Sequence, residues 1–365
     1  MSILSDYWNQ FQAPLFPFLE TSLKEELTVK LQLLVRVLDM VRIERYIPSS
    51  YDQNMGRTRL DRRAIARAFI AKAVYDVSTT EMLIERLQLQ PSLRRLCGFE
   101  RRQDIPSSAT FSRAFAEFAN LKLGDKIHEA LVLEHVGNKV VMHVSRDSTE
   151  VAAREKPTKK EKPPKKPKRK RGRPKKGEIV PPKELPVIVH QLKQTPEEAL
   201  AGIRKVCDVG AKRDSKGNLH WWIGWKTHVD WADGAVPLNA VTSSASVHDC
   251  QLAIPMARIT ARRARSLYDL MDSAYDAEAI RQVCKELDHV AIIDPNKRSG
   301  DCVPMDPAKA RRYNERSTAE RGNSRLKDEF GLRHLRVRGH AKAHMHIMFG
   351  VLVLFADQVH KIFGL

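Results

Sequence analysis

The chain has 365 residues, enough for two or three domains and a sizeable buried core. Its formal net charge of +19 and isoelectric point near 9.8 point to a polyanionic partner rather than an acidic-protein or neutral-ligand role. Five scattered cysteines (Cys97, Cys207, Cys250, Cys284, Cys302) form no C-x2-C pair, which argues against a disulfide framework or a zinc site and fits a reducing cytosol. Met1 to Trp8 shows no basic segment followed by an apolar one, and the apolar run Ile347–Phe355 is short for a bilayer, so neither secretion nor a membrane role is expected.

In chain order, residues 1–130 read as an all-helical domain for DNA binding or dimerisation. Leu23 to Val41 is rich in Leu and Val at helical spacing, and Asp61 to Tyr75 sets Ile65, Phe69 and Ala73 against Arg62, Arg63, Arg67 and Lys72. Ser78-Thr79-Thr80-Glu81 reads as a capping box, and Pro91–Leu96 and Ser107–Phe118 as two further short helices. Such helices suit a helix-turn-helix-like DNA reader or a bundle that only packs or dimerises, and no spacing identifies a recognition helix.

Lys139 to Val144 is a β-branched, apolar run that reads as a buried strand with Asp147 at its C-terminal end. Residues 131–155 would open a second domain that resumes over 183–365. Between them, 156–182 is a Lys/Pro-rich tract that cannot fold alone, expected to be a disordered insertion. Lys156 to Lys176 alone holds ten Lys and three Arg against Glu161, leaving +7 of the net charge for the rest of the chain.

Thr195-Pro196-Glu197-Glu198 is a helix start. Leu219–Trp231 and Ala235–Thr242 read as a hairpin about Asp233-Gly234, with Trp221, Trp222 and Trp225 as core and edge packing. Asp249–Arg265 reads as a helix with Asp249 as its cap, Ser266–Met271 as a strand ending at Asp272, and Asp276–Leu287 as a helix. His289–Ile293 is a further strand, and Asp269, Asp276 and Asp294 read as turn or cap residues. Asp306-Pro307 opens another helix, and Gly339 onward the last.

On the helix from Pro307, Tyr313, Arg316, Glu320 and Lys327 stand at i, i+3, i+7 and i+14. At 100° per residue these fall at about 0, −60, −20 and −40°, on one narrow face. A phenol, a guanidinium, a carboxylate and an ammonium do not make a core stripe; they suit a metal ion and a polyanion. The Y-x2-R-x3-E-x6-K spacing resembles the signature of DDE transposases of bacterial insertion sequences, in the branch named for its Tyr-Arg-Glu-Lys helix. The resemblance implies an α/β, ribonuclease-H-like fold: a mixed five-stranded sheet flanked by helices. It also implies three metal-binding carboxylates, matched by Asp147, Asp272 and Glu320.

Two Mg²⁺ ions about 3.5–4 Å apart, with Mn²⁺ able to substitute, would activate an oxygen nucleophile and neutralise charge at phosphorus. Crowding three carboxylates without a cation would be costly. Arg316 and Lys327 are expected on phosphates beside the scissile bond, and Tyr313 on a base or a phosphate. Arg146 and Ser148 would support Asp147. His340, His344 and His346 have a ligand-like spacing, but the basic residues around them argue against a cation.

Lys170 to Lys176 contains an Arg-Gly-Arg-Pro core that resembles an AT-hook, in which Arg171 and Arg173 would enter an A·T minor groove; a non-specific polycation is the plainer reading. The expected function is a DNA transposase that binds double-stranded DNA at the terminal inverted repeats and at the target. It would cut and join through one metal site, as a homodimer in the bacterial cytoplasm, with no membrane or small-molecule partner. Its rivals are a nuclease of the same fold that does not join, and a non-catalytic AT-hook DNA-binding protein.

Overall fold

The computed structural model describes residues 27–48, 61–158, 185–213, 217–295 and 304–364. All of the expected insertion after residue 158, with Arg171 and Arg173, lies outside the described residues. The first helices are α1 (Val29–Val41), α2 (Arg62–Val74), α3 (Thr80–Leu89), α4 (Pro91–Cys97), α5 (Ser108–Asn120) and α6 (Leu123–His135). The last helix of the chain, His340–Phe363, packs against α1, α2, α5 and α6. Phe69 of α2 stacks on Phe349 of that last helix at 5.6 Å and meets Phe111, Phe115 and Phe118 edge-on. By length and composition this helix could cross a bilayer, but most of its apolar surface is spent inside the protein.

The sheet follows as β1 (Val140–Ala152), β2 (Asp208–Arg213), β3 (Leu219–Ala232), β4 (Val236–Ser244), β5 (Arg265–Met271) and β6 (Val290–Ile293). Its helices are α7 (Val187–Gln191), α8 (Pro196–Ala201), α9 (Cys250–Arg263), α10 (Glu278–Glu286), α11 (Pro307–Tyr313), α12 (Ser317–Asp328) and α13, the last helix. β1, β5 and β6 run parallel, while β3 is antiparallel to β1, β2 and β4. Five of these strands are the expected mixed sheet. The sixth, β2, pairs with the first half of β3, and β4 with the second half.

Two local expectations change. β1 does not end at Asp147 but runs on to Ala152, because β3 continues to pair with it from Val144 through Ala152 after β5 has left. The Tyr313–Lys327 segment is not one α-helix: a 3₁₀ turn, Asn314–Arg316, joins α11 to α12. The backbone stays right-handed throughout the join, so the polar face is carried across it. The starts are as the sequence indicates at two places. Asp306 accepts from Ala308 N and Lys309 N, and Thr195 and Glu198 form a reciprocal capping box. At α3 the cap is Thr79, one residue later than the box implied, and Glu81 instead accepts from Ser108 Oγ.

Candidate active site

The parallel register of β1 and β5 brings the first two aspartates together. Val144 lies opposite Asp269 and Ser145 opposite Leu270, so continuing two residues sets Asp147 against Asp272 on the same face. Asp272 ends its strand by turning: its Oδ1 accepts from Ala274 N at 3.0 Å and caps a 3₁₀ turn, leaving the other oxygen to face outward. α12 crosses close to the sheet here because residue 322 is glycine. A Cβ at Gly322 would lie 2.6 Å from the Trp231 ring of β3, so a larger residue would push Glu320 away from the strands.

Arg316 is the hub of the site. Its Nη2 lies 3.1 Å from Asp147 Oδ1 and 3.6 Å from Asp272 Oδ2, and its Nη1 lies 3.4 Å from Glu320 Oε1. One guanidinium thus faces three carboxylates, and the compensation is incomplete. Burial lifts the Asp147 carboxyl to about 6 against the pull of Arg316, and the nearby Asp272 adds to the rise. Asp272 is also raised, by burial first. Arg316 itself is driven up by Asp147, Tyr313, Asp272 and Glu320, which together outweigh its own burial.

The sequence-predicted residues are thus largely gathered. Asp147, Asp272, Glu320 and Arg316 are in direct contact. The Tyr313 phenol is half-buried beside them, pushed up to about 12 by burial, with Asp294, Asp272 and Asp147 nearby. Lys327 is further along α12, 3.8 Å from Glu150 at the far end of β1, and not on the three carboxylates. The cluster already centres on a cation, is built from hard oxygen donors and is short of positive charge. Those features fit a divalent metal displacing the guanidinium. No ready-made group of three metal ligands occurs among the described residues, consistent with Arg316 standing between the carboxylates.

Five residues that sequence reasoning missed shape the site. Asn323, one turn after Glu320, donates to Asp147 Oδ2 at 2.9 Å; its i+3 spacing from Glu320 was the available signal. Lys212, on β2, lends positive charge to Asp147 and Asp272 and lies close enough to Lys327 to repel its ammonium. Asp230 lies opposite Arg146 across β1 and β3 and accepts from its Nε and Nη2 at 2.7 and 2.9 Å, with Thr260 Oγ1 donating as well, at 2.6 Å. Both partners are essentially fully buried. A carboxylate inside the apolar stretch Val229–Trp231 was the clue that a buried partner had to exist. Arg146 therefore supports Asp147 from beneath, and its Nη1 also reaches Met271, the residue before Asp272.

Asp249 occupies the N-cap position of α9, but its side chain makes no cap hydrogen bond, correcting the capping assignment. It accepts from Ser148 Oγ at 3.0 Å and from Lys226 Nζ, the fifth residue, at 2.9 Å, beside buried His228. The reason is position: Ser148 of β1 and Lys226 of β3 reach Asp249 from the sheet and take the place of the helix amides. Asp269 is likewise no turn residue; it is buried in β5, held by His289 Nδ1 at 3.2 Å and Cys284 Sγ at 3.3 Å. Of the three tryptophans assigned to packing, Trp222 and Trp225 are buried and Trp221 is exposed. The three histidines of α13 diverge: His340 meets Thr242 O, His344 pairs with Asp125, and His346 meets Gly331 O.

Two family models match the chain. A transposase domain (DUF772) covers residues 20–117, and a transposase DDE domain covers residues 142–356, more than half of the chain. Searches of curated proteins and of solved structures gave no match.

Proposed function

The chain belongs to the DDE transposase family, DNA-acting polynucleotidyl transferases that generally use divalent metal ions, and from that premise we propose the reaction and its residues. The protein is the transposase of a bacterial insertion sequence, of the Tyr-Arg-Glu-Lys branch, working on nucleoid DNA in the cytoplasm. It binds the terminal inverted repeats, frees a 3′-hydroxyl at each end and joins it to target DNA. The observation that carries this reading is the convergence of Asp147, Asp272 and Glu320 on a single cationic centre.

Asp147, Asp272 and Glu320 would hold Mg²⁺, or Mn²⁺ in its place; when bound, such ions activate the attacking oxygen and neutralise charge at phosphorus. The chain's other groups do the positioning. Asn323 holds Asp147 Oδ2 in orientation, and Arg146 with Asp230 fixes the strand beneath it. Arg316, released from the carboxylates, is left to grip a phosphate oxygen pair beside the scissile bond, a task its planar fork suits. Lys327 and Lys212 add point charges along the same strand path, and Tyr313 borders the pocket.

In the first step a water oxygen bonds to phosphorus and the P–O3′ bond breaks. In the second the freed 3′-oxygen attacks a target phosphodiester, one P–O bond forming as another breaks. Neither step needs an external energy source or a covalent protein–DNA intermediate. Two element ends must meet for joining, so a homodimer on paired ends is the working assembly.

The test is cleavage and strand transfer on a labelled duplex carrying the element's own end, with Mg²⁺ or EDTA, for wild type and Asp272→Asn. Metal-dependent nicking plus joined product, both lost in the variant, is the expected result. Nicking without joining would replace the transposase with a nuclease, and binding without chemistry would leave only a DNA-binding protein.

A further inference from the structure

Away from the carboxylates, a cavity of about 510 Å³ opens where the N-terminal helices meet the segment between α12 and α13. One wall is α2 and the start of α3; the other is Phe330 to Lys342. Its floor is apolar, formed by Phe69, Phe115 and Phe349 of the main core. Its polar lining is lopsided: Lys72, Arg154, Arg336, Arg338 and Lys342 face a single carboxylate, Glu81, which is already engaged by Ser108 Oγ.

Among the described residues, Arg154, Arg336, Arg338 and Lys342 form no ion pair. Lys72 is half-buried, with its ammonium 3.4 Å from Ser78 O, and burial followed by Arg336 lowers its pKa to about 8 despite the nearby Asp76. The first turn of α3, Thr80 and Glu81 with its cap Thr79, also lines the cavity and adds the positive end of a helix dipole. Arg154, Arg336, Arg338 and Lys342 are exposed, so their charges are free to meet an incoming anion at the mouth of the cavity. The sides belong to different parts of the chain, so an anion seated here ties the N-terminal helices to the catalytic segment.

We propose that this cavity is a second DNA site, where the phosphodiester backbone of the bound duplex lies across the N-terminal helices and the 330–342 segment while the carboxylates hold the scissile bond. This rests on the transposase reading and adds to it a docking point that the catalytic face does not supply. α12 sets the geometry. Glu320 lies in its first turn and the cavity begins just past its end at Phe330, the helix between them being about 12 Å long. That span is well under one turn of duplex, about 34 Å, so one DNA end reaches both places. Arg154, which lines the cavity, is two residues before the start of the basic tract at Lys156 in the sequence.

The test reads binding in EDTA, where no cleavage occurs, using a fluorescent duplex bearing the element end over a range of NaCl concentrations. Arg336→Ala/Arg338→Ala/Lys342→Ala should make the slope of log K against log salt shallower by about 0.9 for each lost phosphate contact, two to three units in all. In wild type, the duplex should shield Lys342 and Lys72 from an amine-reactive label. An unchanged slope in a folded triple variant, or equal labelling with and without duplex, overturns the proposal. So does shielding by a mononucleotide but not by duplex, which would make this a free-nucleotide pocket. The labelling arm needs no variant, so it decides the matter even if the triple variant misfolds. Failure of wild type to bind duplex at all would instead sink the transposase reading itself.

Discussion

Arg146 and Arg316 lie on either side of Asp147, one beneath it and one above, and they show opposite ways of placing a guanidinium among carboxylates. Arg146 is sealed in the sheet with one partner, Asp230, in a two-pronged contact whose spare acceptor is filled by Thr260. Its charge is matched, and Asp269 nearby reinforces it. Arg316 lies at the surface of the same strands with three carboxylates, none at bidentate distance. The buried pair is finished as it stands. The surface cluster has negative charge left over, visible in the upward shifts of Asp147 and Asp272. A closed charge balance fixes geometry, whereas an open one invites a ligand.

Breaking the open cluster should cost function and not stability. Glu320→Gln is expected to abolish cleavage, a loss of several kcal/mol of transition-state stabilisation, while duplex affinity and melting temperature stay near wild type. Single-turnover cleavage assays beside binding and melting curves measure this; a large fall in affinity would contradict the assignment. Divalent metal should raise the melting temperature of wild type but not of Asp272→Asn, because only a native-state binder stabilises.

Breaking the closed pair should do the reverse. Arg146→Met leaves Asp230 charged and buried, and should lower stability by about 3–5 kcal/mol. Arg146→Met/Asp230→Leu should recover most of that loss, since removing both charges together strands neither. Denaturant unfolding of the two variants gives the answer; a double variant as unstable as the single would mean that packing, not charge, dominates.

The open cluster was legible in the sequence and the closed pair was not, for a physical reason. Asp272 and Glu320 stand where apolar periodicity stops or is replaced by a polar stripe, which local pattern reveals. The buried pair exists only through the register of β1 on β3, and nothing near Arg146 announces a partner eighty-four positions away. The same applies to β1's length: Ser145 to Glu150 is polar, so periodicity ended the strand early, although β3 holds its backbone through Ala152. β2 is short and largely polar, and owes its existence to pairing with β3, so Lys212 was missed with it. Asp249 followed the usual rule for a helix start and was redirected by Lys226 and Ser148, partners that only the fold supplies.

Between the two extremes lies the approach of α12, set by packing alone. Gly322→Ala places a methyl group against the Trp231 ring and should cost about 1–3 kcal/mol as an overpacked contact. Because the shift moves Glu320 relative to Asp147 and Asp272, cleavage should fall more than stability does. Parallel melting and cleavage measurements separate the two effects, and a variant with native stability and native rate would show that the helix position is not critical.

The smallest effect tests a pair that is neither sealed nor open. His344 on α13 meets Asp125 of α6 at 2.8 Å and also bonds Thr242 Oγ1, joining the N-terminal helices to the sheet. Burial opposes the imidazolium, but Asp125 outweighs it and the His344 pKa is raised. Burial likewise opposes the Asp125 carboxylate, but His344 prevails and its pKa is lowered. A raised histidine contributes stability that is fully present below its unfolded pKa, near 6.5. That contribution is lost as pH rises through the higher folded value. The carboxylate's share is present above its unfolded pKa and lost as pH falls through the lower folded value. The pair should therefore stabilise from mildly acidic pH up to the neutral range and weaken above it. His344→Gln should cost about 1 kcal/mol near pH 6, and less at pH 8. Melting curves at both values test the sign: a penalty that grew with pH would mean the histidine acts as a neutral hydrogen-bonding group, with no part in the charge balance.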